Sequence, residues 1–285
     1  MESNKLSKLI VILGTTASGK TDLAIKLARK FNGEIISADS RQVYKEMSVG
    51  TAKPLRKELR IIPYHLIDTI RPNQEFNAAI FKKLALEAVK KIQKKDKIPI
   101  LVGGTGLYLK SVIDNIDFPK VPAKKGLRKI LEKKSEKELF KTYKKLDPQG
   151  AKFIDRKNKR RLIRAIEVSK TTKKPFWEQR KKGKSFFDIL QIGIELPKNK
   201  LRRRIEKRVE KMFKLGLEKE IKCLVKKYGW IPPFQTIGYQ EWNDYLQNKI
   251  GEEEVKEKIK LHTSQFSKRQ MTWFKKDKRI HWIRN

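Results

Sequence analysis

The stretch "LIVILGTTASGKTDLA", residues 9–24, decides the fold. Leu9 to Leu13 form a continuous apolar run, the pattern of a parallel strand buried on both faces. A glycine-bounded loop follows, then a helical pattern from Gly19 to Phe31. The loop itself, Gly14, Thr15, Thr16, Ala17, Ser18, Gly19, Lys20 and Thr21, fits G-x-x-x-x-G-K-[ST] in full. Its glycines let the backbone curl until successive N–H groups converge, and the helix behind it adds the positive end of its dipole. Phosphate oxygens are the complement. Lys20 brings a point charge to the terminal phosphates, and the Thr21 hydroxyl is placed to ligate Mg²⁺. Phosphoryl transfer, nucleotide hydrolysis and departure of pyrophosphate can all use this cradle, so the loop alone leaves the reaction open.

Outward from the loop, strand and helix signals alternate. "EIIS" (34–37), "HLID" (65–68) and "IPILVGG" (98–104) read as further strands, with a helix between the last two that presents Phe81, Leu84, Ala85, Ala88 and Ile92 on one face. Such alternation predicts an α/β fold with a parallel sheet. From about residue 120 the texture changes. Lys120 to Lys184 holds 25 Lys and Arg against 7 Asp and Glu, at helical spacing and without a strand pattern. "ILQIGIEL" (189–196) then restores strand character, followed by helical patterns over 198–215, 217–228 and 252–275 and a short strand signal at 279–283. The organisation expected is a core of residues 1–117 and 189–285 interrupted by an all-helical insert, 118–188.

The whole chain carries 70 Lys and Arg against 32 Asp and Glu, a formal charge of +38 over 285 residues. An excess of this size concerns partners rather than fold, and it points first to a nucleic acid. A genome that favours Lys codons contributes to such a composition too. One cysteine, Cys223, in a helical pattern reads as a buried structural thiol, and His65, His262 and His281 are too scattered for a zinc site. No apolar stretch is long enough to span a bilayer, so a soluble, cytoplasmic protein is expected.

Two loops after strands carry the remaining chemistry. In an open parallel sheet the carboxyl ends of the strands line the ligand crevice, which places Asp39, just after "EIIS", and Thr105, in "GGTGLY" (103–108), beside the phosphate loop. A carboxylate there can hold magnesium, position a nucleophile or accept a proton, or simply cap a helix. Spacing does not choose among these.

Taken together, "GTTASGKT", "DSRQVY", "GTAKP", "LVGGTGLY", "RRLIRAIEV", "RIEKRVEKMFKLGLEKEI", "TIGYQE" and "SKRQMTWFKK" resemble the tRNA dimethylallyltransferase (tRNA isopentenyltransferase) family, in family order from residue 14 to residue 276. Thr15 departs from the usual proline. The absence of a following Cys/His zinc finger makes the resemblance one to the compact bacterial type. The resemblance implies a P-loop, kinase-like core whose loop holds the diphosphate of dimethylallyl diphosphate, with Mg²⁺ on Thr21. The prenyl group would pass to N6 of the adenosine 3′ of the anticodon. Asp39 would be the catalytic base, Arg208 would reach the diphosphate with Arg204 one turn away, and Thr105 would contact the flipped nucleotide. Lys268 and Arg269 are further basic candidates. The tRNA would be bound by Asp39, Ser40, Arg41 and Gln42, by Arg128, by Arg161, Leu162, Ile163, Arg164 and Ala165, and by Gln235, Thr236, Ile237, Gly238, Tyr239 and Gln240. A monomer is expected.

Two other classes compete. A nucleotide or small-molecule kinase shares the loop and the carboxylate but leaves the charge and the C-terminal motifs unexplained. A nucleic-acid-stimulated ATPase would need an acidic residue closing an apolar strand, for which Asp68 in "HLID" is the sole candidate.

Overall fold

A computed structural model describes residues 6–179 and 181–284. Contacts divide the chain into two compact units, one containing the chain up to Ile113 and again from Ser185, the other Asp114–Lys184.

The first unit is built on a sheet. Its strands are β1 (Ser7–Gly14), β2 (Gly33–Ser37), β3 (Tyr64–His65), β4 (Ile98–Gly103), β5 (Phe187–Glu195) and β6 (Ile280–Arg284). They lie in the order β3-β2-β4-β1-β5-β6, all parallel. β1 is central, with Val11 opposite Leu101 of β4 on one side and Gln191 of β5 on the other. Leu9, Val11, Ile12 and Leu13 are at most 2% exposed, as an apolar strand covered on both faces requires. The chain leaves β1 toward β2 on one side and returns from β4 to β5 on the other. That reversal between neighbours opens a crevice at the carboxyl ends of β1 and β4, where such sheets bind ligands.

"HLID" does not form the strand its composition suggests. β3 stops at His65 because Leu66 and Asp68 adopt positive φ (62° and 51°), which bends the chain away from the ladder. Cys223 is also not where its helical setting predicts, since it is exposed. The helix Leu217–Tyr228 buries Leu217, Ile221 and Leu224, a stripe at i, i+4, i+7 that passes Cys223 by.

Around the sheet, the helix Lys20–Lys30 buries Ala24 and Ala28. Asn77 caps the helix Ala78–Gln93 by accepting from the N–H groups of Ala79 and Ile80, and Phe81 in its first turn stacks on Tyr108. The helices Lys198–Lys214, Leu217–Tyr228, Trp242–Leu246 and Glu252–Phe274 share a second core with Val43, Tyr44 and Met47.

Among its described residues the other unit contains three α-helices, Lys125–Glu132, Glu136–Leu146 and Lys159–Thr172, closed on their own core of Leu131, Leu139, Tyr143, Leu162, Ile166 and neighbours. A reciprocal capping box between Ser135 and Glu138 starts the second, and Asn158 caps the third.

Candidate active site

The carboxyl ends of β1 and β4 open on a cavity of about 640 Å³. Gly14 (φ 153°) and Gly19 (φ 94°), with Ala17 in the left-handed region between them (φ 64°), turn the phosphate loop back on itself. Half-buried Lys20 donates from Nζ to the Thr15 carbonyl at 2.5 Å. Desolvation lowers its ammonium to about 7, with the positive charge of Arg208 acting in the same direction and Asp39 opposing both. Arg208 is shifted down as well, by its own burial, and Asp39 again opposes. Two cations pressed together beside one carboxylate make a site short of negative charge. The Ser18 hydroxyl is buried without a hydrogen-bond partner, as expected of a donor meant for a ligand's oxygen.

The facing wall is made by the turns after β2 and β4. These turns touch because Gly103 has no side chain: a Cβ there would stand 2.2 Å from the Ala38 carbonyl oxygen. The Thr105 N–H donates to that carbonyl at 3.3 Å, and Thr105 Oγ1 accepts from the Ser40 N–H at 3.1 Å. Asp39 Oδ1 accepts from the N–H groups of Arg41 (2.8 Å) and Gln42 (3.3 Å). The carboxylate is thereby oriented through one oxygen, and Oδ2 is left over for chemistry. Asp39, Ser40, Arg41, Gln42 and Thr105 all line the cavity together with loop residues Thr16 to Thr21.

The helix Lys198–Lys214 supplies a third side. Arg204 donates to the Ser18 carbonyl at 3.1 Å and Arg208 to the Thr51 carbonyl at 3.2 Å, one turn apart on one face. From "TIGYQ", Thr236, Ile237 and Gly238 reach the cavity. Gln235 and Gln240 are exposed. Tyr239 turns inward: it is fully buried and donates its hydroxyl to Glu220 Oε1 at 2.7 Å, so its place in the motif is architectural.

Two residues escaped the sequence reading. Gln270 accepts from the Thr16 N–H at 2.9 Å and donates to the Gly104 carbonyl at 2.9 Å, tying the phosphate loop to the turn after β4. It sits in "SKRQMTWFKK", where the adjacent charges drew attention instead. Lys268 and Arg269 are in fact exposed and stand outside the cavity lining. Glu220 accepts from the N–H groups of Ser48, Val49 and Gly50 at 2.7–3.0 Å, holding the segment whose Thr51 carbonyl receives Arg208. In sequence it looks like any solvated helix carboxylate. Asp68 follows an edge strand, pairs with Lys53 and lies outside the cavity lining. The ATPase reading loses its acidic residue.

The insert residues lie in the other unit. Glu167, 0% exposed, accepts from Arg128 Nε and the Lys124 N–H on Oε1 and from Arg128 Nη2 and Arg164 Nη1 on Oε2, at 2.6–2.8 Å. Burial raises its carboxyl, but these donors outweigh burial and hold it down at about 2. Arg164 also donates to the Val121 carbonyl at 2.9 Å. Leu162, Ile163 and Ala165 are buried in the unit's core, whereas Arg161 is exposed.

Among the described residues no group of three or more His, Cys, Asp and Glu could hold a metal ion, and no helix is long and apolar enough to cross a membrane.

Fold and site define a P-loop-type α/β protein that places a phosphate cradle opposite a carboxylate. The chain belongs to the IPP transferase family, whose model matches residues 42–277. It is 44% identical to a tRNA dimethylallyltransferase from Caldicellulosiruptor saccharolyticus, over 94% of this chain and 89% of that one. A crystal structure of the full-length tRNA isopentenylpyrophosphate transferase from Bacillus halodurans superposes with a TM-score of 0.73 at 35% identity, covering 98% of this chain and 90% of that one. A eukaryotic dimethylallyltransferase acting on tRNA gives a TM-score of 0.83 at 31% identity, covering 98% of this chain and 74% of that one.

Proposed function

We propose that the protein transfers the dimethylallyl group of dimethylallyl diphosphate to N6 of the adenosine immediately 3′ of the anticodon of tRNA, releasing pyrophosphate. The observation that carries the reading is the shared cavity, in which the phosphate loop and Arg208 face Asp39 and Thr105. A diphosphate on the loop would share this cavity with the carboxylate wall.

In the reaction the N6 lone pair forms a bond to C1 of the prenyl group as the C1–O bond breaks, and the electron pair leaves on pyrophosphate. Lys20, the loop amides and Arg208 meet the charge that grows there, the electrostatic contribution that usually dominates such catalysis. Asp39 takes the proton that N6 loses, help worth about 10²- to 10⁴-fold. Asp39 lines the same cavity as Thr21, whose hydroxyl would hold Mg²⁺. The ion's chemistry when bound is to neutralise the leaving group's charge. Thr105 and the turn from Ser40 to Gln42 would hold the extruded base. Extraction from the loop costs a few kcal/mol, least for a nucleotide that is already unpaired. Contacts from the basic insert to RNA phosphates offset that cost, with exposed Arg161 better suited than Arg128 and Arg164, which already serve Glu167. One chain supplies every proposed catalytic group, which favours a monomer, and a tRNA substrate favours the cytoplasm.

The test mixes protein, Mg²⁺ and an anticodon stem-loop bearing the target adenosine with labelled dimethylallyl diphosphate or with labelled ATP. Prenyl label in the RNA is the expected result. Label transferred or released from ATP, with RNA unlabelled by prenyl, would establish a kinase or ATPase instead.

A further inference from the structure

Within the unit Asp114–Lys184, Phe153 and Trp177 stack with ring centroids 4.7 Å apart and planes 16° apart, yet remain 63% and 46% exposed. Large rings left in water mark a place where something binds, the more so when they adjoin. A single buried carboxylate fixes both. Asp147, 1% exposed, accepts from the Tyr143 hydroxyl, from the Gly150 N–H and from the Trp177 N–H at 2.7–2.8 Å. The short helix Gly150–Lys152 starts at that anchor, and Phe153 closes it by donating its N–H to the Gly150 carbonyl at 3.1 Å. Two segments 24 positions apart in the sequence are thus pinned so that their rings meet before any ligand arrives, which spares binding the cost of ordering them.

The setting selects the partner. Lys152, Arg156 and Lys157 flank Phe153 in sequence, Lys173 and Lys174 precede Trp177, and Arg156 lies over the Phe140 ring at 4.5 Å. An ordinary apolar protein surface gains nothing from these cations. A nucleobase brings a flat π face joined to a phosphate, and stacking of this kind is tolerant of sequence. We propose that the Phe153–Trp177 pair is a stacking platform for one unpaired base of the RNA substrate, with the flanking cations on the adjoining phosphates. The inference rests on the reading that the substrate is RNA.

Titrating the anticodon stem-loop into the full-length protein should quench indole emission, and Trp177→Phe should remove that component. Trp177→Ala and Phe153→Ala should each raise the RNA Kd by about 5- to 150-fold, the usual range for one lost base stack. The loss should fall on the KM for RNA and leave the KM for prenyl diphosphate unmoved, and Trp177→Phe should recover most of the affinity lost in Trp177→Ala. Alanine variants that bind RNA as the parent does would overturn the platform. So would a parent protein that dimerises through these rings, shown by sedimentation of parent and variants. A parent that neither binds nor prenylates the stem-loop would overturn the RNA reading itself.

Discussion

Lys20 makes the donor site sensitive to pH in a direction that can be worked out. Desolvation and the neighbouring Arg208 lower its ammonium to about 7 from an ordinary 10.5. A diphosphate on the loop restores the missing negative charge and so raises that value. Below pH 7 the group is protonated in free and bound enzyme alike, and it adds no pH dependence. Above pH 7 the free enzyme must take up a proton to bind, so affinity falls tenfold per unit until the bound-state value is reached. One unit corresponds to about 1.4 kcal/mol. If the ligand restores the ordinary value, affinity falls roughly 50-fold from pH 7, where the group is half protonated, to pH 9. The measurement is calorimetric titration of dimethylallyl diphosphate at constant Mg²⁺ without RNA, at pH 7, 8 and 9, in buffers of differing ionisation enthalpy. Near one proton should be absorbed at pH 8. Lys20→Arg, whose guanidinium stays charged throughout, should lose this slope and retain only that of the ligand's own ionisation. Equal slopes in parent and variant, or no proton uptake, would refute the reasoning.

Asp39→Asn should keep the backbone cap on Arg41 and Gln42, since an amide oxygen still accepts, while losing the base; turnover should drop by about 10²- to 10⁴-fold with RNA binding retained. Near-normal single-turnover rates would remove Asp39 from that role. Glu167, held at about 2 from 4.5, stabilises the fold fully above pH 4.5, and its contribution fades as pH falls from 4.5 toward 2. Glu167→Gln should therefore lower Tm at pH 7, by the equivalent of about 3 kcal/mol, with the gap between parent and variant narrowing below pH 4.5 and closing only toward pH 2. A gap that does not depend on pH would show that the carboxylate's charge is not what matters.

The loop Gly14–Thr21 could be read directly because its function resides in the backbone, and the residue types that permit that backbone are few. The same holds for β1, whose apolar run has no other stable setting in a fold of this pattern. Asp39 and Thr105 were legible only as ends of strands. That they form one wall was decided by the pairing of β2 with β4, register Ser37 to Val102, and by the contact Gly103 permits with Ala38. Neither follows from a window of neighbouring residues. The end of β3 was misread because positive φ at Leu66 and Asp68 is imposed by tertiary contacts against local preference.

Side-chain partners over long separations were the least visible. Gln270 is 254 positions from Thr16, and Glu220 about 170 from the amides it holds. A polar residue on a helix carries no sign of which backbone group it will satisfy, because that depends on where packing delivers the helix. Sequence alone fixed the chemistry of the cradle and the sign of the partner's charge, since both are sums over local residue types. Only the tertiary structure decided which carboxylate faces the cradle, which cations are already spent on Glu167, and which aromatic rings meet in water, since each is a coincidence in space of segments distant along the chain.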